Sequence, residues 1–442
     1  MSTGLITMRP LAPRAVHWAV VAAVRPLHAL ITAPALLFIV TLTAMLFRPP
    51  DMQFGWIDRI AFLLLLFVIL LRVLLLRRPV RLARPAMLPM AALLLLSLGA
   101  VLNQAYDAQN WSVLAAKWVV PFALYHAAGP VFDDDIALRK LETFLLLVLT
   151  YLSLIAILFL AGAKGLIFPR YILDESLGIH ADRARGPFLQ AVANGVTLNL
   201  LGLLALDCFR RRRMPILAAV LLLSMLPLAI LATATRGVWL SFAGSIVFLL
   251  WLSSSPRIRR ACLCMIVAAG AGLVTALIFA DANSSFFARL EERSPVEFRV
   301  VMYRTGLEMF LEKPLTGWAG DDLQPELSRR VHDFRQKAFF FHNTYLEIAV
   351  QHGLLGLVLY LWVAIDLFRL GSRRRPHIAS SDNSFLDEHF RSVWPILVGV
   401  YLLNGSFVVM NYQFVNGLLF TLAGILAAQN RHAGAQSHAF SN

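Results

Sequence analysis

Residues 141–161 read LETFLLLVLTYLSLIAILFLA, and Glu142 is the one charged side chain in this stretch. An apolar run of about twenty residues forms a helix long enough to cross the ~30 Å hydrocarbon core of a bilayer. Eleven further apolar runs recur along the chain, and Lys117 and His126 make the fourth of the twelve the least regular. The sequence therefore predicts an all-α polytopic membrane protein with about twelve transmembrane helices. The predicted spans are 29–47, 60–76, 86–102, 111–128, 141–161, 188–207, 214–232, 237–253, 261–280, 344–368, 393–408 and 413–428.

The predicted spans divide the 442 residues into four parts. Residues 1–280 contain the first nine transmembrane helices, and residues 344–429 contain the last three. Between them, residues 281–343 form one long loop, which is expected to be functional because structureless loops of that length are uncommon. The polar residues 430–442 are expected to form a disordered tail.

Arginine clusters in alternate loops predict the orientation of the chain. By the positive-inside rule these loops are cytoplasmic, and the even number of spans places both termini there as well. The remaining loops, including the long loop 281–343, then face the other side of the membrane. The clustered arginines are Arg77, Arg78, Arg81, Arg84, Arg210, Arg211, Arg212, Arg213, Arg257, Arg259, Arg260, Arg369, Arg373, Arg374 and Arg375.

Composition supports a membrane protein and argues against nucleic-acid binding. The chain is 59% hydrophobic, and its formal net charge of +14 resides largely in the loops assigned to the cytoplasm. Anionic lipid headgroups and topology account for such a charge. No nucleotide, zinc-protease or EF-hand motif occurs, so no cofactor or metal is predicted. The carboxylates on the other side have no metal-ligand spacing; they include Glu291, Glu292, Asp321 and Asp322.

Arg236 is the residue whose position in the sequence most clearly indicates a functional role. It lies in a short turn between two predicted spans, on the side where the positive-inside rule disfavours arginine. A guanidinium beside a helix start, where backbone N–H groups lack partners, is suited to binding phosphate. The alternative is an arginine that reaches lipid headgroups, with Trp239 as an interfacial anchor.

Arg185 and His342 add to this signal from two other loops. Arg185 precedes Gly186 and Pro187 at the start of the sixth span, and we expect it to point inward as a second phosphate ligand. His342 directly precedes the tenth span, which Asn343 or Thr344 can cap. A histidine can accept a proton from a hydroxyl near neutral pH, although a structural histidine is the alternative.

The long loop contains a further predicted helix over residues 296–312. Arg299 and Tyr303 lie four residues apart and therefore share one face of that helix. Pro and Gly within residues 313–317 are expected to end it. We interpret Arg304 as part of the solvent-exposed face of this helix, and we predict no catalytic or substrate-binding role for it.

Taken in order along the chain, these motifs resemble the O-antigen ligase and polysaccharide polymerase superfamily of bacterial envelopes. The resemblance covers about residues 140–430. The matching stretches are Arg185-Gly186-Pro187-Phe188 with Asn194; Thr233-Ala234-Thr235-Arg236-Gly237; Arg299 with Lys313-Pro314-Leu315-Thr316-Gly317-Trp318; and His342-Asn343-Thr344-Tyr345-Leu346 with His352-Gly353-Leu354-Leu355-Gly356.

The resemblance implies a GT-C-type glycosyltransferase in the bacterial inner membrane, with its active site on the periplasmic face. Such an enzyme passes a glycan from undecaprenyl pyrophosphate to lipid A–core oligosaccharide, with inversion and without a metal. Twelve spans and a short tail favour the lipopolysaccharide O-antigen ligase branch. The alternatives are an O-antigen polymerase, a protein O-oligosaccharyltransferase, or a flippase or other transporter. The implied catalytic residues are His342, Arg236 and Arg185, and the implied substrate-binding residues are Arg299, Asn194, Asn343 and Tyr345.

Overall fold

The computed structural model describes residues 31–48, 56–76, 83, 85–279, 294–318, 323–331, 340–371 and 385–440. Long helices with short connections make up most of these residues, and no strand occurs among them. Residues 281–293, 319–322 and 332–339 of the predicted long loop, and the end of the predicted tail at 441–442, lie outside the described residues. The helices are α1 (Ala35–Leu46), α2 (Ile57–Leu76), α3 (Met87–Leu102), α4 (Ala108–Leu114), α5 (Val120–Val131), α6 (Asp135–Leu160), α7 (Ala191–Arg210), α8 (Ile216–Leu231), α9 (Arg236–Leu252), α10 (Pro256–Phe279), α11 (Ser294–Glu312), α12 (Leu323–Arg330), α13 (Thr344–Arg369), α14 (Glu388–Gly405) and α15 (Gln413–Phe440), and a π-helical turn (Ala115–Val119) joins α4 to α5.

The helices agree with a membrane protein. Each of the twelve predicted spans overlaps at least one of them, and α11 coincides with the helix predicted inside the long loop. Four helices are long and apolar enough to cross a membrane, namely α6, α7, α10 and α13. The helices α1, α3, α8 and α9 are apolar but shorter. The helical membrane fold is therefore supported, and the number of twelve spans stays a prediction.

Short polar side chains start several helices, and Asp134 is one of them. Its Oδ1 accepts a hydrogen bond from the backbone N–H of Ala137 at 2.7 Å and caps α6. Asn343 caps α13 by accepting from the N–H groups of Tyr345 at 3.0 Å and Leu346 at 3.1 Å. These bonds satisfy backbone donors that have no partner within the helix.

An ion-pair network ties three segments together at the arginine-rich end. Arg211 binds Glu142 of α6 and Asp207 of α7, and Arg210 binds Asp207 and Asp387, the residue before α14. Two arginines of the predicted cytoplasmic cluster therefore have internal carboxylate partners, in addition to any role in setting topology. Such pairs suit a buried position because each charge has a close opposite charge.

A break in α13 holds the loop helix α11 against the bundle. Gly353 has a φ of +64°, and next to it the N–H of Leu354 donates to the carbonyl of Pro314 at 2.7 Å. Gly317 follows α11 and has a φ of +72°, and a Cβ there would lie 2.4 Å from the carbonyl oxygen of Gln351. Both positions need glycine, because the backbones touch and the conformation is left-handed.

The helix α15 continues to Phe440, past the predicted end of the last span and into residues for which the sequence predicted a disordered tail. Polar contacts hold the helix where it passes the predicted end of the last span. Nδ2 of Asn430 donates to the carbonyl of Leu370 at 3.2 Å, and Arg391 binds both Asn430 and Gln429. The alanines that follow are strong helix formers, so the backbone ladder continues beyond the apolar segment.

The predicted orientation can be tested with two cysteines in a cysteine-free background. Ser328 in α12 and Ser254 between α9 and α10 are both exposed. We expect Ser328→Cys to react with a membrane-impermeant maleimide while the cytoplasmic membrane is intact. Ser254→Cys should react only after permeabilisation, because it adjoins an arginine cluster. The opposite labelling pattern would contradict the topology. Cys208, Cys262 and Cys264 would be replaced first.

Candidate functional site

The loop before α7 and the turn before α9 lie side by side, which brings two of the predicted motifs together. The N–H of Ala184 donates to the carbonyl of Ala232 at 3.1 Å. Ala234 has a φ of +46°, so the turn is held in the left-handed conformation that side chains rarely adopt. The segments that contain Arg185 and Arg236 are therefore neighbours at the bundle end opposite the ion-pair network.

The loop 406–412, between α14 and α15, connects this turn to the long loop. A Cβ at Gly237 would lie 3.0 Å from Cδ2 of Phe407, so the missing side chain lets the ring pack on the turn. Tyr303 of α11 places its hydroxyl 3.0 Å from the carbonyl oxygen of Ser406 and 3.3 Å from that of His342. The 406–412 loop thus lies between the Arg236 turn and His342.

Thr344 fixes the start of α13 to the same loop. Its hydroxyl donates to the carbonyl of Val408 at 2.9 Å and accepts from the N–H of Met410 at 2.9 Å. The side chain of Thr344 is buried, so water does not compete for these bonds. The position of His342 is therefore defined by the bundle as well as by the long loop.

His342 has the backbone and electrostatic features of a functional residue. Its φ is +51°, a conformation that persists only where the surroundings enforce it. The half-buried imidazole packs edge-on against the ring of Phe298, with 5.8 Å between centroids. Burial lowers the pKa of His342 below its ordinary value, and the charge of Arg299 lowers it further. The imidazole is therefore neutral near pH 7 and able to accept a proton.

Arg299 and Tyr303 both interact with the region around His342, as their position on one helix face predicted. Burial raises the pKa of Tyr303, while the charge of Arg299 and a hydrogen bond with Asn343 oppose that shift. Arg299 is half-buried, and it influences both Tyr303 and His342 electrostatically. A cation near a neutral base can also attract an anionic substrate group.

Arg236 is the first residue of α9, and its side chain is exposed. The N-cap residue Thr235 makes no capping bond with its side chain, because its hydroxyl donates to the carbonyl of Thr233 at 2.9 Å. The first N–H groups of α9 consequently lack a side-chain cap, which suits an anion. Trp239 braces the turn instead of serving only as an interfacial anchor, because its indole N–H donates to Ile230 at 3.0 Å.

The environment of Arg185 does not agree with the predicted role of direct phosphate ligand. Its side chain is 1% exposed, and Nε donates to the carbonyl of Ile172 at 2.9 Å. Nη1 donates to the carbonyl of Leu177 at 2.5 Å, and Nη2 donates to that of Asp174. A guanidinium surrounded in this way holds the preceding loop in place, and it would have to give up those bonds to reach a substrate.

Three residues implied as substrate-binding also have partners within the protein. Asn194 is fully buried and donates to the carbonyl of Ala184 at 2.8 Å. Tyr345 donates from its hydroxyl to the carbonyl of Leu402 at 2.8 Å, and Asn343 is the N-cap described above. These contacts fix the loop before α7 and the start of α13. We therefore assign the three residues to positioning, and a direct contact with substrate stays a prediction.

An ion pair that the sequence patterns did not predict lies beside the start of α13. Nζ of Lys117, in the π-helical turn, lies 2.5 Å from Oε2 of Glu347, and the two side chains are 5% and 12% exposed. Lys117 was visible in the sequence only as an irregularity of the fourth span. A lysine within an apolar run requires a partner of opposite charge. That requirement indicates that a carboxylate partner exists, although it does not identify Glu347.

Metal binding finds no support in the described part of the chain. Within that part, no group of three His, Cys, Asp or Glu residues is arranged to hold a metal ion. The loop carboxylates Glu291, Glu292, Asp321 and Asp322 lie outside the described residues. Independence from metals therefore stays a prediction.

Residues 217–361 match the family model described as O-antigen ligase. The matched segment is about a third of the chain and contains Arg236, Arg299 and His342. This match confirms the resemblance to the O-antigen ligase superfamily, and it does not separate ligases from polymerases. No match was found among curated proteins.

Arg185→Ala tests the positioning role. Loss of the guanidinium removes three hydrogen bonds to backbone carbonyls, one buried and two part-buried, at roughly 1 kcal/mol each. We expect the apparent Tm of the purified protein to fall by at least about 3 °C, and the loop 162–187 to become sensitive to protease. Arg170 offers a matched control, because it also donates to two carbonyls in this loop but is exposed, so Arg170→Ala should change little. An Arg185→Ala protein of normal stability that is inactive would favour direct phosphate binding instead.

Proposed function

We propose that this protein is an inner-membrane glycosyltransferase that transfers O-antigen polysaccharide from undecaprenyl pyrophosphate to lipid A–core oligosaccharide at the periplasmic face. The observation that carries the proposal is the arrangement around His342. The half-buried imidazole of His342 lies within electrostatic reach of Arg299 and across the 406–412 loop from the Arg236 turn. The O-antigen ligase match over residues 217–361 contains all three side chains.

The reaction needs a base for the acceptor and cations for the leaving group. The acceptor hydroxyl oxygen forms a bond to the anomeric carbon of the donor sugar, and its proton passes to the imidazole of His342. The bond between the anomeric carbon and the pyrophosphate oxygen breaks at the same time, and the electron pair leaves with the pyrophosphate. Because attack and departure occur on opposite faces, the anomeric configuration inverts.

Arg236 supplies positive charge for the departing pyrophosphate. Its guanidinium and the N–H groups at the start of α9 present several donors to one anion. Donors already in place for developing charge lower the barrier more than groups that must reorganise. Arg299 adds a second cation close to the base, so the scheme requires no divalent metal. Arg185, Asn194 and Tyr345 support the site by holding its loops.

A reconstituted assay tests the proposal directly. Purified protein in nanodiscs receives an undecaprenyl-pyrophosphate-linked glycan and either O-antigen-free lipopolysaccharide or a second lipid-linked glycan as acceptor. We expect transfer to the lipopolysaccharide, at a rate that excess chelator leaves unchanged. Extension of the lipid-linked glycan alone would identify a polymerase. Movement of the donor across the bilayer without transfer would identify a flippase, and both outcomes would contradict the proposal.

Arg236→Lys separates geometry from charge at the proposed phosphate site. A lysine keeps the charge but cannot present two donors to two oxygens of one anion. The variant should lose roughly 10²-fold in kcat/KM, the usual size for a missing donor to developing charge. Arg304→Lys on α11 is the control, because Arg304 is 83% exposed and pairs only with Glu308 in the described structure. A lysine variant at position 236 with normal activity would remove the proposed clamp.

The pH dependence of the rate tests His342 and Arg299 together. Because burial and Arg299 lower the pKa of His342, the wild-type rate should fall only when the pH drops below the ordinary histidine value near 6.5. Arg299→Gln removes one of these two causes, so the pKa of His342 should rise and the acidic limb should move to higher pH. The Arg304→Gln profile should match wild type. An unshifted limb in Arg299→Gln would show that another group sets the profile.

A further inference from the structure

A polar cavity of about 450 Å³ opens between α3, the π-helical turn, α12 and the first half of α13. This volume lies within the ~300–1,000 Å³ range of small-molecule sites. Apolar surface comes from Trp118, Phe340 and Phe341. The polar side chains that carry the argument are Asn110, Lys117, Gln324, Glu347, Gln351 and Asn411.

The cavity adjoins the candidate site around His342. Phe341, the residue before His342, lines the cavity. Glu347 lines it as well, and lies less than one turn after Thr344, the first residue of α13, which is about 5 Å along the helix axis. The lining of the cavity also includes Val409 and Asn411 of the 406–412 loop. The same loop contacts the Arg236 turn through Phe407. A molecule in this cavity would therefore lie next to the proposed base.

The cavity contains a buried ion pair that packing alone does not require. Lys117 and Glu347 are both nearly inaccessible, and Nε2 of Gln351 lies 3.4 Å from the other carboxylate oxygen of Glu347. Replacing such a pair with apolar residues is often neutral or stabilising, so its presence needs another reason. The π-helical turn that carries Lys117 is a rare conformation, which recurs at functional sites.

The charge balance of the lining selects among possible ligands. Lys117 is neutralised by Glu347, and Asp107 at the rim adds a further negative charge. The cavity consequently lacks the excess positive charge that a pyrophosphate needs. A polyprenyl chain would leave the amides and the carboxylate without partners, at a cost in free energy. Hydroxyl groups, by contrast, both donate and accept, as this mixture of amides, ammonium and carboxylate requires.

We propose that this cavity binds an uncharged saccharide unit of one of the two substrates, with Glu347 accepting hydrogen bonds from its hydroxyls and Lys117 fixing that carboxylate. The inference rests on the proposed function and names the part of the site that holds sugar. The unit belongs either to the donor glycan or to the acceptor. Both present the same chemistry to the lining, and the experiment below separates them.

Binding measurements on a cavity-filling variant test this assignment without relying on turnover. Ala100 of α3 lines the cavity, so Ala100→Phe fills it without breaking the ion pair. Leu95→Phe on the same helix is the matched control, because Leu95 is 67% exposed and faces away from the cavity. Three radiolabelled probes are used with wild type and each variant: the lipid-linked glycan, O-antigen-free lipopolysaccharide, and undecaprenyl pyrophosphate without a glycan.

We expect Ala100→Phe to weaken binding of one saccharide-bearing probe by at least about tenfold. A loss of this size corresponds to one or two good hydrogen bonds. Loss of the lipid-linked glycan alone would assign the cavity to the donor sugar, and loss of the lipopolysaccharide alone to the acceptor. Binding of undecaprenyl pyrophosphate should not change. An equal loss for that probe would overturn the proposal, because the cavity would then hold phosphate or lipid.

Unchanged binding of both saccharide-bearing probes would overturn the cavity assignment while the proposed function stands. A wild-type protein that binds neither probe would overturn the proposed function and this inference with it. If Ala100→Phe fails to fold by size exclusion, the double variant Lys117→Gln/Glu347→Gln takes its place, since it removes the pair without leaving one buried charge. The same tenfold loss is expected for it.

Discussion

The contact between two glycine backbones holds the candidate site together. Gly353 breaks α13, and the chain after α11 enters the break, so that the carbonyl oxygen of Leu315 would lie 2.3 Å from a Cβ at position 353. The N–H of Trp318 donates to the carbonyl of Val350 at 2.7 Å on the other side of the break. The approach of Leu315 to position 353 is not possible with a larger residue there. The contact anchors the C-terminal end of α11, the helix that carries Arg299 and Tyr303 towards His342.

The same break borders the polar cavity, because Gln351 and His352 directly precede it. His352 also lies 3.2 Å from the hydroxyl of Ser97, which links α13 to α3. The proposed base and the proposed saccharide cavity therefore depend on one irregular helix. That dependence explains why the two glycine-containing motifs, 313–318 and 352–356, occur together although neither contains a proposed catalytic residue.

The sequence predicted elements and motifs better than it predicted side-chain partners. The helices, the helix inside the long loop and the Asp134 cap follow from local patterns, and the structure contains them. Arg185 was assigned to phosphate because its flanking Gly and Pro suggested an inward direction. Its actual partners are the carbonyls of three residues within 172–177. These carbonyls come within reach of the guanidinium only when that loop has folded. Glu347 lies 230 residues from Lys117, so no local pattern could have paired them. Polar composition predicts disorder for residues 430–440, whereas the backbone of α15 continues through them.

The central claim is that His342 accepts the proton of the acceptor hydroxyl. The most direct measurement is the single-turnover rate of His342→Ala protein preloaded with the lipid-linked glycan and mixed with O-antigen-free lipopolysaccharide. This rate should be at least about 10²-fold below that of wild type, with donor binding retained. His389→Ala, which alters a half-buried histidine next to the ion-pair network, should react at the wild-type rate. A near-normal rate for His342→Ala would contradict the account.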